Sequence, residues 1–205
     1  MRLDARDILP GQQLSADMAV VGAGPAGLAL SLALARAGCS VILLESGGLR
    51  PDADGDALNA GTSNLTDYPF QSSRARALGG STTRWFGACI PLDPEDFVRR
   101  DWVPNSGWPI TFDDLGAEMA GARAFFGLPD RSGFGDRLAS HPMAAAGLEI
   151  KPVLFSSPLD LGKAHSDAVA RTSHLRCILG ATVTEVLQQM PGCVAAPSAR
   201  WTLSA

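Results

Sequence analysis

Hydrophobic positions near the N-terminus follow a strand, helix, strand order. The apolar run 19–21 predicts a short buried strand. Residues 25–37 are rich in Ala and Leu and predict a helix, with Pro25 tolerated at its first turn and Gly38 placed to end it. The apolar run 40–44, with β-branched members, predicts a second strand. This order predicts a parallel βαβ unit.

The pattern after the second strand is less regular. Residues 47–72 are rich in Gly, Asp, Asn and Pro and predict a long excursion. Thr111 followed by Asp114 resembles a helix N-cap with an acid three residues on, so we expect a helix over 112–126. A second helix is expected over 161–171, and two strands are expected over 174–179 and 182–187.

These elements predict an α/β fold, a Rossmann-like dinucleotide-binding domain with a parallel sheet that is incomplete at the C-terminus. We expect an N-terminal extension over 1–14 and one domain over 15–205. Within that domain, 47–72 and 85–160 are predicted to be loop or insertion regions.

The amino-acid composition limits the classes of partner that the chain is expected to bind. The 205 residues carry 17 basic and 21 acidic side chains, a net charge of −4, without a basic block. This balance argues against a nucleic-acid or anionic-membrane partner. No apolar stretch reaches the roughly 20 residues that cross a bilayer. The charged N-terminus has no apolar leader, which favours the cytoplasm, and the four cysteines have no CxxC spacing.

The turn after the first predicted strand carries the most informative chemistry. Gly22 would allow the tight turn, and Gly24 would let the backbone approach a pyrophosphate. Gly27 would let the helix pack closely, and the helix N-terminus favours an anion. Glu45 ends the second strand, where an acid accepts hydrogen bonds from ribose hydroxyls and repels a 2′-phosphate. The unit therefore predicts FAD or NAD. Its N-terminal position and its Pro25-Ala26 pair favour FAD.

A second glycine motif follows the excursion. Gly79 and Gly80 are succeeded by Ser81 and Thr82, which predicts a bend with exposed N–H groups. Such a bend can wrap a phosphate or the edge of a flavin ring.

Taken together, the two motifs resemble the glucose–methanol–choline (GMC) family of FAD-dependent oxidoreductases. The runs 102–110 and 180–185 stand in the family's order, so the resemblance covers roughly residues 15–195. It implies oxidation of the CH–OH group of a small-molecule alcohol or sugar, with hydride transfer to the flavin and an electron acceptor that the motifs do not specify. The family's catalytic His segment has no match here, so no catalytic residue is assigned. We expect a truncated, N-terminal part of the family that binds FAD weakly or not at all and turns over poorly.

The resemblance also implies a set of cofactor-binding residues. The ADP half would contact the first motif and the acid, 78–82 would lie along the pyrophosphate and flavin, 85–88 would lie beside the isoalloxazine, and Val183 would contact adenine through its backbone. The full set is Gly22, Gly24, Pro25, Ala26, Gly27, Glu45, Ser46, Arg76, Leu78, Gly79, Gly80, Ser81, Thr82, Trp85, Phe86, Gly87, Ala88 and Val183. Arg84 occupies the position where some relatives attach FAD through a His, which implies non-covalent binding.

Two alternatives remain open at this point. The chain could be a non-catalytic FAD-binding remnant that needs a second chain, or a different flavoprotein such as a monooxygenase or an NADH-dependent reductase. The three histidines, His141, His165 and His174, lie in no motif, and no metal-ligand spacing occurs.

Overall fold

The computed structural model describes residues 1–62, 64, 69–129, 143, 146, 148, 151–186 and 200–202. The chain divides into two compact units, the first formed by 1–85 with 160–205 and the second by 86–159.

The described residues contain the strands β1 (Arg2–Asp4), β2 (Gln13–Ser15), β3 (Met18–Val21), β4 (Val41–Glu45), β5 (Ala88–Cys89), β6 (Leu154–Phe155), β7 (Leu175–Leu179) and β8 (Arg200–Thr202). Their helices are α1 (Pro25–Arg36), α2 (Ala53–Ala57), α3 (Phe70–Ser73), α4 (Pro94–Phe97), α5 (Met119–Phe126) and α6 (Leu161–Arg171). Short 3-10 turns cover Ala5–Asp7, Gly80–Thr83 and Asp113–Leu115.

The first unit is built on a four-stranded sheet in the order β1-β7-β4-β3. All three pairings are parallel. Every residue of β4 is buried, as expected for the inner strand of a sheet that is covered on both faces. The α/β class with a parallel sheet is therefore confirmed. A separate antiparallel pair joins β2 to β8.

Helix α1 packs against this sheet through one stripe of buried side chains. Leu28, Ser31, Leu32 and Ala35 are buried at the i, i+3, i+4, i+7 spacing of a helix face. Helix α6 packs beside β7 and contacts α1. These contacts fix the direction of α1, and hence the position of its N-terminus at the carboxyl end of β3.

The second unit joins β5 and β6 as an antiparallel pair. Its aromatic side chains cluster around Phe97, whose ring centroid lies 6.1 Å from the ring of Trp108 and 6.1 Å from that of Phe112.

Two predicted elements differ from the structure. The helix expected over 112–126 is wrong in its first half, because i→i+3 hydrogen bonds form there and the α-helix begins only at Met119. Gly116, a weak helix former, lies in this interruption. The strand expected over 182–187 is also wrong as far as it is described, because 182–186 form no ladder. Val183 instead packs on the apolar cluster around Ile42 and Ile178.

Residues 2–4, near the N-terminus, belong to the four-stranded sheet. We expected residues 1–14 to precede the domain, but β1 pairs with β7 and forms one edge of the parallel sheet. The N-terminal ammonium of Met1 also donates to the carbonyl of Leu175 at 2.6 Å. The strand therefore owes its conformation to pairing with a distant segment rather than to its own short, charged sequence.

Candidate cofactor site

The turn after β3 has the backbone that an anion-binding loop requires. Gly22 has a φ of +92°, which favours glycine, and its N–H donates to the carbonyl of Leu44 at 2.7 Å. Gly24 caps α1 without a side-chain hydrogen bond, and the first turn of α1 carries no acid. The N–H groups at this helix end therefore lack a capping side chain, and no acid lies within the first turn of the helix itself.

Gly27 is required for the helix to approach the strand. A Cβ at this position would lie 1.9 Å from the carbonyl oxygen of Gly22 and 3.4 Å from Cγ1 of Val20. By contrast, a Cβ on Gly24 would meet none of the described atoms within 4 Å. Gly27 thus serves packing, whereas Gly24 leaves open space where a ligand could approach.

Glu45 lies beside this turn. Its side chain is buried, and Oε2 accepts the N–H of Ala23 at 2.7 Å. Its other oxygen, Oε1, accepts the N–H of Gly47 at 2.9 Å and the hydroxyl of Ser46 at 3.4 Å. These donors fix the carboxylate between the glycine turn and the start of the excursion, and they stabilise its negative charge.

The second glycine motif contacts the first. The N–H of Gly79 donates to the carbonyl of Ala23 at 2.8 Å, and a Cβ on Gly80 would lie 3.0 Å from Cα of Gly24. Both Gly79 and Gly80 have positive φ. Two motifs that are more than fifty residues apart in sequence thus form one wall.

The N-terminus of α6 supports this wall from behind. A Cβ on Gly162 would lie 1.9 Å from the carbonyl oxygen of Leu78, and a Cβ on Gly79 would lie 2.4 Å from the nitrogen of Gly162. The hydroxyl of Thr82 donates to the carbonyl of Gly79 at 2.6 Å and accepts the N–H of Leu161 at 3.4 Å. The role of Gly162 was missed in the sequence, because a glycine near a helix start gives no sign of what packs on it.

A cavity of about 790 Å³ opens at the carboxyl ends of β1, β4 and β7. Ser46, Gly47 and Gly48 line it on one side, and Leu179 and Gly180 line it where β7 ends. The carboxyl ends of parallel strands are where open α/β sheets bind ligands, and the volume is sufficient for a nucleoside. Gly22, Gly24 and Glu45 are not among the residues that line this cavity, which begins at the neighbouring Ser46.

The remaining predicted residues are distributed as follows. The guanidinium of Arg76 donates to Asn59, Ser46 and the Leu58 carbonyl. Trp85 is half-buried in the first unit. Phe86, Gly87 and Ala88 belong to the second unit, where Phe86 is 88% exposed and Gly87 is buried. The roles predicted for these residues and for Val183 stay predictions.

These features fit a dinucleotide. The uncapped helix end, the open space at Gly24 and the positive-φ glycines suit a pyrophosphate, and Glu45 suits a ribose diol. A family model described as "FAD binding domain" matches residues 15–62, which span the glycine turn, α1 and Glu45. The cofactor indicated for this region is FAD.

Other comparisons add the following. A solved structure, pyridoxine 4-oxidase from "Mesorbium loti", is 18% identical, with a TM-score of 0.49 over 85% of this chain. The chain spans 44% of the length of that oxidase. No curated protein matches the sequence. Among the described residues, no helix has both the length and the apolar character needed to cross a membrane.

Proposed function

We propose that this chain binds the ADP half of FAD, weakly when it is alone, as part of a GMC-type oxidoreductase acting on the CH–OH group of an alcohol or sugar. The contact between the two glycine motifs carries the proposal, since Gly79 donates to Ala23 at the turn that Glu45 borders. The resemblance of the two glycine motifs in combination, rather than the FAD-binding match, supports the GMC reaction class.

In this proposal, the glycine turn binds the pyrophosphate of FAD and Glu45 binds its adenosine ribose. The pyrophosphate lies at Gly22–Gly24 and the uncapped end of α1, where backbone N–H groups and the helix dipole stabilise its charge. A carboxylate offers about four acceptor positions, and three donors already use Glu45, so capacity remains for a ribose hydroxyl. The fixed negative charge of Glu45 excludes a 2′-phosphate.

FAD is held without a covalent bond in this proposal. The guanidinium of Arg84 donates to the carbonyls of Gln71 and Ser72 and pairs with Asp56, so it is occupied within the protein. Acid precipitation should therefore release all flavin into the supernatant. Flavin that pelleted with the protein would contradict this.

When bound, FAD supplies the hydride-accepting ring. The described residues contribute binding and orientation, and the resemblance places the proton-abstracting His outside the matched segment.

A second candidate function is a non-catalytic FAD-binding module that works with a further polypeptide. One observation favours it: Met18 and Val21 of the edge strand β3 are 43% and 56% exposed, and Leu30 on α1 is also exposed. Apolar surface beside the glycine turn would then be covered by the further segment.

One experiment separates these candidates. The purified chain is saturated with FAD, without removal of the free cofactor, and mixed without oxygen with ethanol, benzyl alcohol or glucose while the visible flavin band is recorded against FAD alone. Loss of the band with an alcohol or sugar, slow because the resemblance places the proton-abstracting His outside the matched segment, supports the oxidoreductase. A bound flavin that no substrate reduces supports the binding module. Absence of saturable FAD binding would contradict both.

A further inference from the structure

Arg84 ties two parts of the excursion to the second glycine motif. Its Nη1 donates to the carbonyls of Gln71 and Ser72 at 2.8 and 3.2 Å, at the C-terminal end of α3. Its Nη2 forms an ion pair with Oδ2 of Asp56 in α2. Both charged side chains are only 25% exposed. A single guanidinium therefore joins α2 and α3.

The backbone of Arg84 belongs to the wall of the site. Arg84 ends the 3-10 turn Gly80–Thr83, and its N–H donates to the carbonyl of Ser81 at 3.0 Å. That turn begins at Gly79, which donates to Ala23 in the first glycine turn. The side chain and the main chain of one residue thus connect the excursion with the wall against which FAD is proposed to bind.

Arg76 makes a parallel set of contacts at the other end of the motif. It donates to Oδ1 of Asn59 at 3.1 Å, to the carbonyl of Leu58 at 3.2 Å and to the hydroxyl of Ser46 at 3.2 Å. The motif is therefore fastened to the excursion on both sides, near 58–59 by Arg76 and at 56 and 71–72 by Arg84.

We propose that Arg84 is a positioning residue for FAD: through Asp56 and α3 it holds the second glycine motif in its binding conformation. This rests on the proposed function. A planar guanidinium can serve three acceptors in fixed directions, which the single ammonium of a lysine cannot match. Loss of the pair would leave the partly buried Asp56 carboxylate without its cation. Its other oxygen, Oδ1, would not compensate, because it is buried and lacks a hydrogen-bond partner among the described residues.

The test combines FAD affinity with hydrogen exchange in the full chain. Asp56→Asn removes the negative charge of the pair. Arg84→Lys keeps the positive charge but loses the planar set of guanidinium donors. Each is expected to weaken FAD binding roughly 3- to 10-fold and to speed amide exchange over 53–57 and 70–73. The double variant should lose no more than the worse single variant, because both changes break the same contact.

The matched control is Asp167→Asn, which removes the exposed i,i+4 ion pair with Arg171 on α6. It should leave both the FAD affinity and the exchange of 53–57 unchanged. Asp56→Glu keeps the carboxylate and should recover most of the affinity that Asp56→Asn loses, which a general loss of stability would not do.

Two results would overturn the inference while leaving the proposed function intact. One is faster exchange in Asp56→Asn with unaltered FAD affinity, which would make the pair merely structural. The other is equal loss of affinity in Asp56→Asn and Asp56→Glu. Failure of the unsubstituted chain to bind FAD would instead refute the proposed function itself.

Discussion

Substituting Gly27 by alanine should break the fold of the first unit, whereas the same change at Gly24 should affect binding alone. The added methyl at 27 would lie 1.9 Å from the carbonyl oxygen of Gly22, far inside the 3.4 Å at which ordinary van der Waals contact begins. Because the backbone fixes the position of a Cβ and the Gly22 carbonyl is itself backbone, no side-chain rotation relieves the overlap. Helix α1 must move away from β3 by more than an ångström.

The cost follows from what that movement disturbs. Overpacking of a close-packed interior typically costs about 1–3 kcal/mol. Separation of α1 from the sheet would also loosen its buried stripe, which includes Leu28 and Leu32. We therefore expect Gly27→Ala to lower the free energy of unfolding by about 3 kcal/mol or more.

Gly24→Ala is the matched variant. Gly24 has a φ of −69°, which alanine adopts freely, and its Cβ would meet none of the described atoms. Its unfolding free energy should stay within about 0.5 kcal/mol of that of the unsubstituted chain. FAD binding should nevertheless weaken at least tenfold, because the methyl group fills the space in which the pyrophosphate approaches.

Urea unfolding followed by circular dichroism measures the first quantity, and flavin fluorescence titration measures the second. Equal urea midpoints for Gly27→Ala and the unsubstituted chain would refute the packing argument. Unchanged FAD affinity in Gly24→Ala would refute the assignment of the turn to the pyrophosphate.

Three further predictions concern stability and reactivity. Ser31→Ala should raise the unfolding free energy by about 0.5–1.5 kcal/mol, since the Ser31 hydroxyl is buried without a partner among the described residues; a lower urea midpoint would contradict this. Burial raises the pKa of Cys177 to about 12, so iodoacetamide at pH 8 should label it only after unfolding. Mass spectrometry of the labelled chain should show that the half-buried Cys39 reacts before the buried Cys177, and equal labelling rates would contradict this. Hydrogen bonds from Ser40 lower the pKa of Asp17 below 3.8. The stabilisation is therefore present above pH 3.8 and is lost as the pH falls through the folded pKa. Urea midpoints of Asp17→Asn and the unsubstituted chain should converge at low pH, and a constant difference would contradict the linkage.

The sequence predicted the elements whose signals are local. Helix α1 and strand β4 agree with their predicted bounds to within one residue, because Pro25 and Gly38 mark the helix ends and the apolar runs mark the strands. Helix α6 matches its predicted bounds, and β7 begins one residue later than predicted.

The structural features that the sequence did not predict depend on contacts between segments that are distant along the chain. Strand β1 forms only because β7 supplies its partner. Its three residues, Arg2, Leu3 and Asp4, are too few and too charged to show a strand pattern in the sequence. The contact between Gly79 and Ala23, the support from Gly162 and the pairing of Arg84 with Asp56 all join segments far apart along the chain. The candidate site was therefore predicted as two separate motifs, and the structure brings the first motif, the acid and the glycine pair together.

The most direct test of the central claim is a calorimetric titration of the purified chain with FAD, ADP and FMN under identical conditions. FMN lacks the adenosine half that Gly22, Gly24 and Glu45 are proposed to hold. The account predicts saturable binding of FAD, displacement of FAD by ADP, and no binding of FMN at the same concentrations. FMN binding as tight as that of FAD, or failure of ADP to compete, would contradict it.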